Sequence, residues 1–285
     1  WFPADRFAFL GGSVVSVGVL GNLMAATPLA MLSMSIGWRN CFLVFALVNA
    51  LIVTAFILVI KDYPSGYKAP HKLHKSLMSG LGFLLRKYSY WSISLSNFVR
   101  YGYFASLQGL WASPFLIYGL GFGEIAASNA ILVMGIGYMI GLPVSGSISD
   151  KILRSRKKVV LSTMLIFLIL VSSALLWSRE TSTWVIFATF FGFGLSAAPG
   201  QILYAHIKEL IPEDLTAQAM TAVNLFTILG AAMITQLLGF VIGADPNSLR
   251  SPDDFRAVWI VGTVLLSTVC CMYFFVPDSK ALKDS

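Results

Sequence analysis

The stretch WRNCFLVFALVNALIVTAFILVI, residues 38–60, carries no charge between Arg39 and Lys61 and is dominated by Leu, Ile, Val, Ala and Phe. A helix needs roughly 20 such residues to cross the hydrocarbon core of a bilayer, so the stretch reads as a membrane span. Taken alone it could also be a buried core helix or the apolar region of a signal peptide. Working outward removes those alternatives. Seven more apolar stretches of comparable length follow one another with short polar links, at residues 7–32, 90–118, 125–147, 159–177, 184–205, 215–243 and 257–276. Eight in succession predict an all-α, polytopic membrane protein.

Composition agrees, since 57% hydrophobic and only 12% charged residues cannot cover a globule of 285 residues with polar surface. Lipid supplies the missing solvent. A net charge of +7 would suggest nucleic acid in a soluble domain, so the placement of the cations has to decide. Fifteen of them fall in one alternating set of links: Arg6; Lys61 to Lys87; Lys151 to Lys158; Lys208; Lys280 and Lys283. Four fall in the other set, at Arg39, Arg179, Arg250 and Arg256, and the last, Arg100, lies inside the third stretch. The positive-inside rule places the richer set, and with it both chain ends, on the cytoplasmic side of a cell membrane, the bacterial inner membrane being the expected one. The basic excess is then a topology signal, and no nucleic-acid partner is expected.

No catalytic or metal-binding pattern emerges. Cys41, Cys270 and Cys271 all fall in apolar runs without a CxxC pair, which makes them small buried hydrophobes. His71 and His74 sit among Lys68, Lys72 and Lys75 with no nearby carboxylate or thiol, so a solvated linker explains them better than a metal site. HExxH, GxSxG and P-loop patterns are missing from the sequence, and Gly119, Gly121 and Gly123 mark a tight turn. Neither a cofactor nor a metal is expected, and the chain is not expected to be an enzyme.

Internal repetition organises the spans. Pro3-Ala-Asp5 before the first span matches Pro212-Glu-Asp214 before the seventh, and at the same offset Leu20-Gly21 matches Leu229-Gly230. The first two spans therefore look like a parallel copy of the last two. If each unit ends with such a pair, the six spans from Tyr90 to Val276 form one complete unit and the first unit lacks four spans. The chain begins with Trp1, which fits a piece of a longer protein. Residues 61–87, with Pro64, Gly66 and Pro70 and then Leu73, Leu77, Leu81, Leu84 and Leu85, read as a cytoplasmic linker ending in an amphipathic helix on the membrane surface. The expected division is 1–60, the last two helices of an N-terminal half; 61–87, the linker; 88–278, a six-helix C-terminal half; and 279–285, a cytoplasmic tail.

The link after the fourth stretch reads Gly146-Ser-Ile-Ser-Asp150-Lys151-Ile-Leu-Arg154-Ser-Arg156-Lys157-Lys158. It resembles the second-half copy of the GxxxD(R/K)xGRR motif of the major facilitator superfamily of transporters. Phe2-Pro3-Ala-Asp5-Arg6 and Gly37-Trp38-Arg39 resemble the segments before that family's fifth and sixth helices. The resemblance implies a major facilitator-type bundle represented by its helices five to twelve, eight of an expected twelve. It also implies that Gly146, Asp150, Lys151, Arg154 and Arg156 form a conformational motif. Leu153 stands where the motif has Gly, and Ser155 where it has its second Arg, so the loop is expected to wind differently there. Physically, Asp150 ends a helix where an acid can meet the positive N-terminal end of another. By the symmetry of the halves that partner is the first span, at residues 5–7; the alternative is a pairing with Lys151 or Arg154 in water.

Small residues in the first span (Gly11, Gly18, Gly21, Ala25) and the seventh (Gly230, Ala231, Ala232, Gly239, Gly243) allow close helix approach in lipid. They would serve either an interface between halves or packing inside one bundle.

Arg100 is the one charge in the middle of a span. Such a cation costs several kcal/mol, faces a bundle interior or aqueous cavity, and marks a functional site by default. At about 100° per residue Asn97, Arg100, Tyr101, Phe104, Gln108 and Trp111 share one helix face. Weaker candidates are Gln201 and Tyr204 beside the break Pro199-Gly200, and Asn224 on the seventh stretch with Thr227 and Gln236. The expected substrate-binding set is Asn97, Arg100, Tyr101, Gln108, Trp111, Gln201, Tyr204 and Asn224.

No Asp or Glu lies within a span, so a coupling carboxylate would belong to the four absent helices and the substrate itself would bring the negative charge. The expected function is secondary active transport of a small solute by alternating access, with an organic or inorganic anion favoured. The expected partners are that solute, the lipid bilayer and the missing N-terminal helices. A membrane-embedded enzyme and a non-transporting sensor on a transporter fold are the alternatives.

Overall fold

A computed structural model describes residues 35–59, 77–243 and 251–279, together with residues 18 and 32. The chain divides into two units, Trp1–Leu73 and His74–Ser285. Most of the first expected span, the linker up to residue 76 with His71 and His74, and the tail from residue 280 lie outside the described residues.

In the first unit, α1 (Trp38–Val59) is one unbroken helix, exposed along nearly its whole length, with Cys41 buried. The second unit is helical throughout its described residues. It contains α2 (Leu77–Leu85), α3 (Tyr88–Ser106), α4 (Glu124–Ser147), α5 (Arg156–Ser173), α6 (Thr183–Ala197), α7 (Gly200–Leu210), α8 (Thr216–Ile242) and α9 (Arg256–Phe274).

Six described stretches are long and apolar enough to cross a membrane: Trp38–Val59, Glu124–Ile152, Arg156–Leu176, Thr183–Leu210, Glu213–Ile242 and Pro252–Phe274. α3 is not among them, because Ser92, Ser94, Ser96, Asn97 and Arg100 lower its hydropathy; all five are buried inside the unit. The helical path of α3 nevertheless runs on to Gly119 through wide π-turns at Leu107–Trp111 and Phe115–Gly119, on either side of Pro114. A proline removes one backbone donor and crowds the preceding turn, and π-turns absorb that misfit without ending the helix.

Two long pairings build the unit: α3 runs along α8, and α4 along α6. Both depend on backbone contact. A Cβ on Gly102 of α3 would stand 2.5 Å from the backbone of Gly230 on α8, and one on Gly194 of α6 would run into the backbone of Met134 and Tyr138 on α4. Gly230 is thus used inside this unit, as is Gly239, which accommodates the Trp111 ring. In lipid such close approach supplies the dispersion energy that drives helix association. α9 packs against α5 and α3, and at one end of the bundle Trp259 sits among Phe115, Trp177 and Phe193, with its ring centroid 4.9 Å from that of Phe115. α2, at the end of the expected linker, lies against the start of α8, where Gly80 meets Gln218 and Leu215.

The α4–α6 crossing has a direct test. Gly194→Ala forces a methyl into the α4 backbone and is expected to destabilise the protein by ~1–3 kcal/mol, as overpacking does. Thermal unfolding in detergent should show a lower midpoint than wild type, while Gly109→Ala, whose Cβ would meet nothing within 4 Å, stays close to wild type.

Candidate functional site

α6 and α7 are two parts of one apolar stretch, broken at Ala198-Pro199. Pro199 has no N–H to continue the ladder, and the chain turns tightly there, with Gln201 and Ile202 donating back to Ala198 and Pro199 at 3.4 and 3.0 Å. Arg100 of α3 sits against this break. It is 0% exposed, and Nε, Nη1 and Nη2 have no hydrogen-bond partner among the described residues. Its guanidinium lies against the backbone of Gly200, where a Cβ would collide with Nη2 and stand 3.2 Å from both Cζ and the Oδ1 of Asn97. Among the described residues no carboxylate forms an ion pair with it.

Beside the guanidinium runs a chain of hydrogen bonds joining three helices. Asn97 Nδ2 donates to Thr227 Oγ1 at 2.6 Å. Thr227 Oγ1 lies 2.8 Å from the Tyr204 hydroxyl, which donates to Asn224 Oδ1 at 3.0 Å. The chain starts at buried Asn97 and ends at exposed Asn224. Gln201, also exposed, comes up to the phenol of Tyr138, and Tyr138 stacks on Phe104 with centroids 4.8 Å apart.

The structure therefore gathers Asn97, Arg100, Gln201, Tyr204 and Asn224 around the break, and Tyr101 is half-buried next to Arg100 on α3. Gln108 and Trp111 lie farther along the helix. Gln108 stands near Gly135 of α4, and the Trp111 indole donates to the carbonyl of Thr235 at 3.2 Å, fastening the π-turn to α8. Tyr138 was not anticipated. It shares a helical stripe with Met134 and Gly141, which periodicity alone reads as packing.

At the far end of α4 the motif residues form a second polar cluster. The Asp150 carboxylate accepts from Arg156 Nη1, which also donates to Ser149 Oγ at 2.9 Å, while Arg156 Nε donates to Glu209 Oε1 of α7 at 3.2 Å. Asp150 is thus paired with Arg156; its expected partner at residues 5–7 lies outside the described residues. Lys151 and Arg154 are exposed and Gly146 half-buried. Arg154 takes the left-handed conformation, with φ 43°, next to the Leu153 that stands where the motif has Gly.

Ser155, standing where the motif has Arg, caps α5 by accepting from the Lys158 N–H at 3.0 Å. It also donates to Asp278 Oδ2 at 2.5 Å, and Asp278 Oδ1 accepts from the amides of Lys157 and Ser279 at 3.2 and 3.0 Å. From α7, buried His206 completes the attachment: Nε2 donates to the carbonyl of Pro277 at 3.0 Å, and Nδ1 pairs with the Tyr273 hydroxyl at 2.6 Å. A carbonyl only accepts, so Nε2 carries the proton.

Partial burial pushes the Asp278 carboxyl upward, but the Ser155 hydroxyl, the two amides and the nearby His206 outweigh it and hold the group below the usual carboxylate range. A depressed carboxylate contributes stability that is present above its unfolded pKa and disappears as pH falls through the folded one. Asp278→Asn is accordingly expected to lower the thermal midpoint at pH 7, with the gap to wild type closing once the pH drops well below roughly 4. A gap of unchanged size across that range would show that the charge is not what holds the segment.

Comparison with known proteins follows from this geometry. The model of the Major Facilitator Superfamily matches residues 1–235 and, in a second match, residues 93–285. No curated protein sequence matches significantly. Among solved structures, the E. coli fucose:proton symporter, as a variant, superposes with a TM-score of 0.60 at 15% identity, over 95% of this chain and 65% of that one. The inward-open E. coli xylose transporter gives 0.58 at 13% identity, over 72% and 50%. An unoccupied, inward-facing bacterial homologue of the human lysosomal transporter Spinster gives 0.52 at 16% identity, over 90% and 63%. The chain thus spans between half and about two thirds of the length of these proteins. At such identities the superpositions speak for the fold alone, but the family matches together cover every residue, and the chain belongs to the Major Facilitator Superfamily.

Proposed function

We propose that this chain is the part of a secondary transporter that holds its fifth to twelfth helices, with residues 1–60 belonging to the N-terminal half and 88–278 forming the C-terminal half. In this reading the protein crosses a bacterial inner membrane with both ends of the chain cytoplasmic, and it moves a small solute by rocking the halves about a central site. Membership of the family favours transport over catalysis.

The solute class rests on one observation. The guanidinium of Arg100 is wholly buried, all three of its nitrogens lack hydrogen-bond partners, and no described carboxylate forms an ion pair with it. A charge kept out of water needs a counter-charge with hydrogen-bonding oxygens, and the planar fork of Arg suits a carboxylate or phosphate in two-point fashion. An anion bound at Arg100, with Asn97, Tyr204, Asn224 and Gln201 beside it, supplies that partner. The xylose and fucose transporters named above carry sugars without a charge, so the anion is a distinguishing claim.

Uptake by the full-length protein tests it, using radiolabelled lactate, succinate and inorganic phosphate beside xylose and fucose. Truncating one member of a buried hydrogen-bonded charge pair costs about 2–5 kcal/mol, so Arg100→Ala should cut anion uptake about 100-fold or more while leaving membrane insertion intact. Arg100→Lys keeps the charge but loses the fork and should weaken apparent affinity. Wild-type uptake of a neutral sugar that Arg100→Ala leaves unchanged would overturn the anionic assignment.

A further inference from the structure

Gly200 follows Pro199 at the start of α7, and its backbone is helical, without the positive φ that would demand glycine. Inside a helix alanine is intrinsically preferred to glycine. Conformation therefore gives no reason for glycine here, and space does. The hydrogen of Gly200 faces the guanidinium of Arg100, and a methyl in its place would collide with Nη2 and crowd Cζ and the Asn97 side chain, both 3.2 Å away. The guanidinium ends a flexible side chain, but it is wholly buried and can move only by displacing its neighbours, among them Asn97, which is tied to Thr227.

We infer that Gly200 is a positioning residue for the anion site: the absence of a side chain at the break between α6 and α7 gives the Arg100 guanidinium its berth beside Asn97. The inference rests on the reading of Arg100 as the anion-binding group, but the steric coupling between the two residues exists whatever Arg100 binds. Enlarging position 200 displaces the fork from the Asn97, Tyr204 and Asn224 chain. A carboxylate or phosphate then meets one donor where it met two, and affinity falls before turnover does.

A double-mutant cycle on the full-length protein measures the coupling. In the wild-type background Gly200→Ala should lower the thermal midpoint. In the Arg100→Ala background the same substitution should raise it, since the obstacle is gone and the helical preference for alanine remains. Arg100→Lys, which lacks the Nη2 that collides, should also relieve the loss. If Gly200→Ala fails to accumulate in the membrane, its recovery on adding Arg100→Ala reads the same coupling, and failure to recover overturns the inference.

Uptake supplies the functional arm, with whichever of lactate, succinate and inorganic phosphate the wild type takes up best. Gly200→Ala should raise the half-saturating concentration about tenfold or more and leave the maximal rate within about twofold. The combination Gly200→Ala with Arg100→Lys should recover stability and bind no more weakly than Arg100→Lys alone, whereas a role for Gly200 independent of the fork would weaken binding further. Gly200→Ala that stabilises the wild-type protein and leaves uptake unchanged, while Arg100→Ala still abolishes uptake, would sink the role of Gly200 and spare the anion site. Reversal of the stability effect with uptake indifferent to Arg100 would do the opposite.

Discussion

Inside hydrocarbon no water is on hand to hydrogen-bond a polar group that the protein leaves unpaired. That constraint falls most heavily on α3, whose Ser92, Ser94, Ser96, Asn97 and Arg100 are each at most 1% exposed. The helix can stay in a membrane protein only if its neighbours wall it in, and they do so at very short range. α8 closes on it at Gly102 and Gly230, α7 at Gly200, and α9 at Gly262, which admits the Tyr103 ring, while the Tyr103 hydroxyl donates to Val258 at 3.2 Å. Each of these approaches uses a glycine because backbone contact is the only way to exclude lipid so completely from a polar helix. The most polar helix of the unit is for that reason central in its packing.

The second polar cluster obeys different physics. Asp150 is exposed, and an ion pair in water contributes little by attraction alone. What Arg156 adds is geometry, since one guanidinium reaches Asp150, Ser149 and Glu209 and so joins the end of α4, the start of α5 and the end of α7. Asp278 and His206 attach the end of α9 to the same region. Tyr273 strengthens that attachment, its hydroxyl pairing with the buried His206 of α7.

Much of this was legible from residue order. The apolar stretches announced helices in lipid, Pro199-Gly200 announced a break, and the motif after α4 announced the family that the family model then showed. Arg100 stood out because it is a lone charge in an apolar setting, and Asn97 because it lies one turn away. Gln108 and Trp111 lie inside the π-turn that begins at Leu107, where 100° per residue no longer holds, so the face defined near Arg100 is not kept there. Ser155 looked like a defect in the motif, but its hydroxyl caps α5 and holds an aspartate more than a hundred residues away.

Sequence alone determined which segments are long and apolar, where the basic links fall and which charge is out of place, because these follow from composition over one or two dozen neighbouring residues. Tertiary structure decided what that charge meets. Gly200, Thr227 and Tyr138 come from three different helices, and local sequence does not say that they meet Arg100, Asn97 and Phe104 of α3. Whether a guanidinium ends up solvated, paired or sealed with its donors unused depends on how distant helices close around it. That is set by the shapes of the packed surfaces, among them the absence of a single methyl group at residue 200.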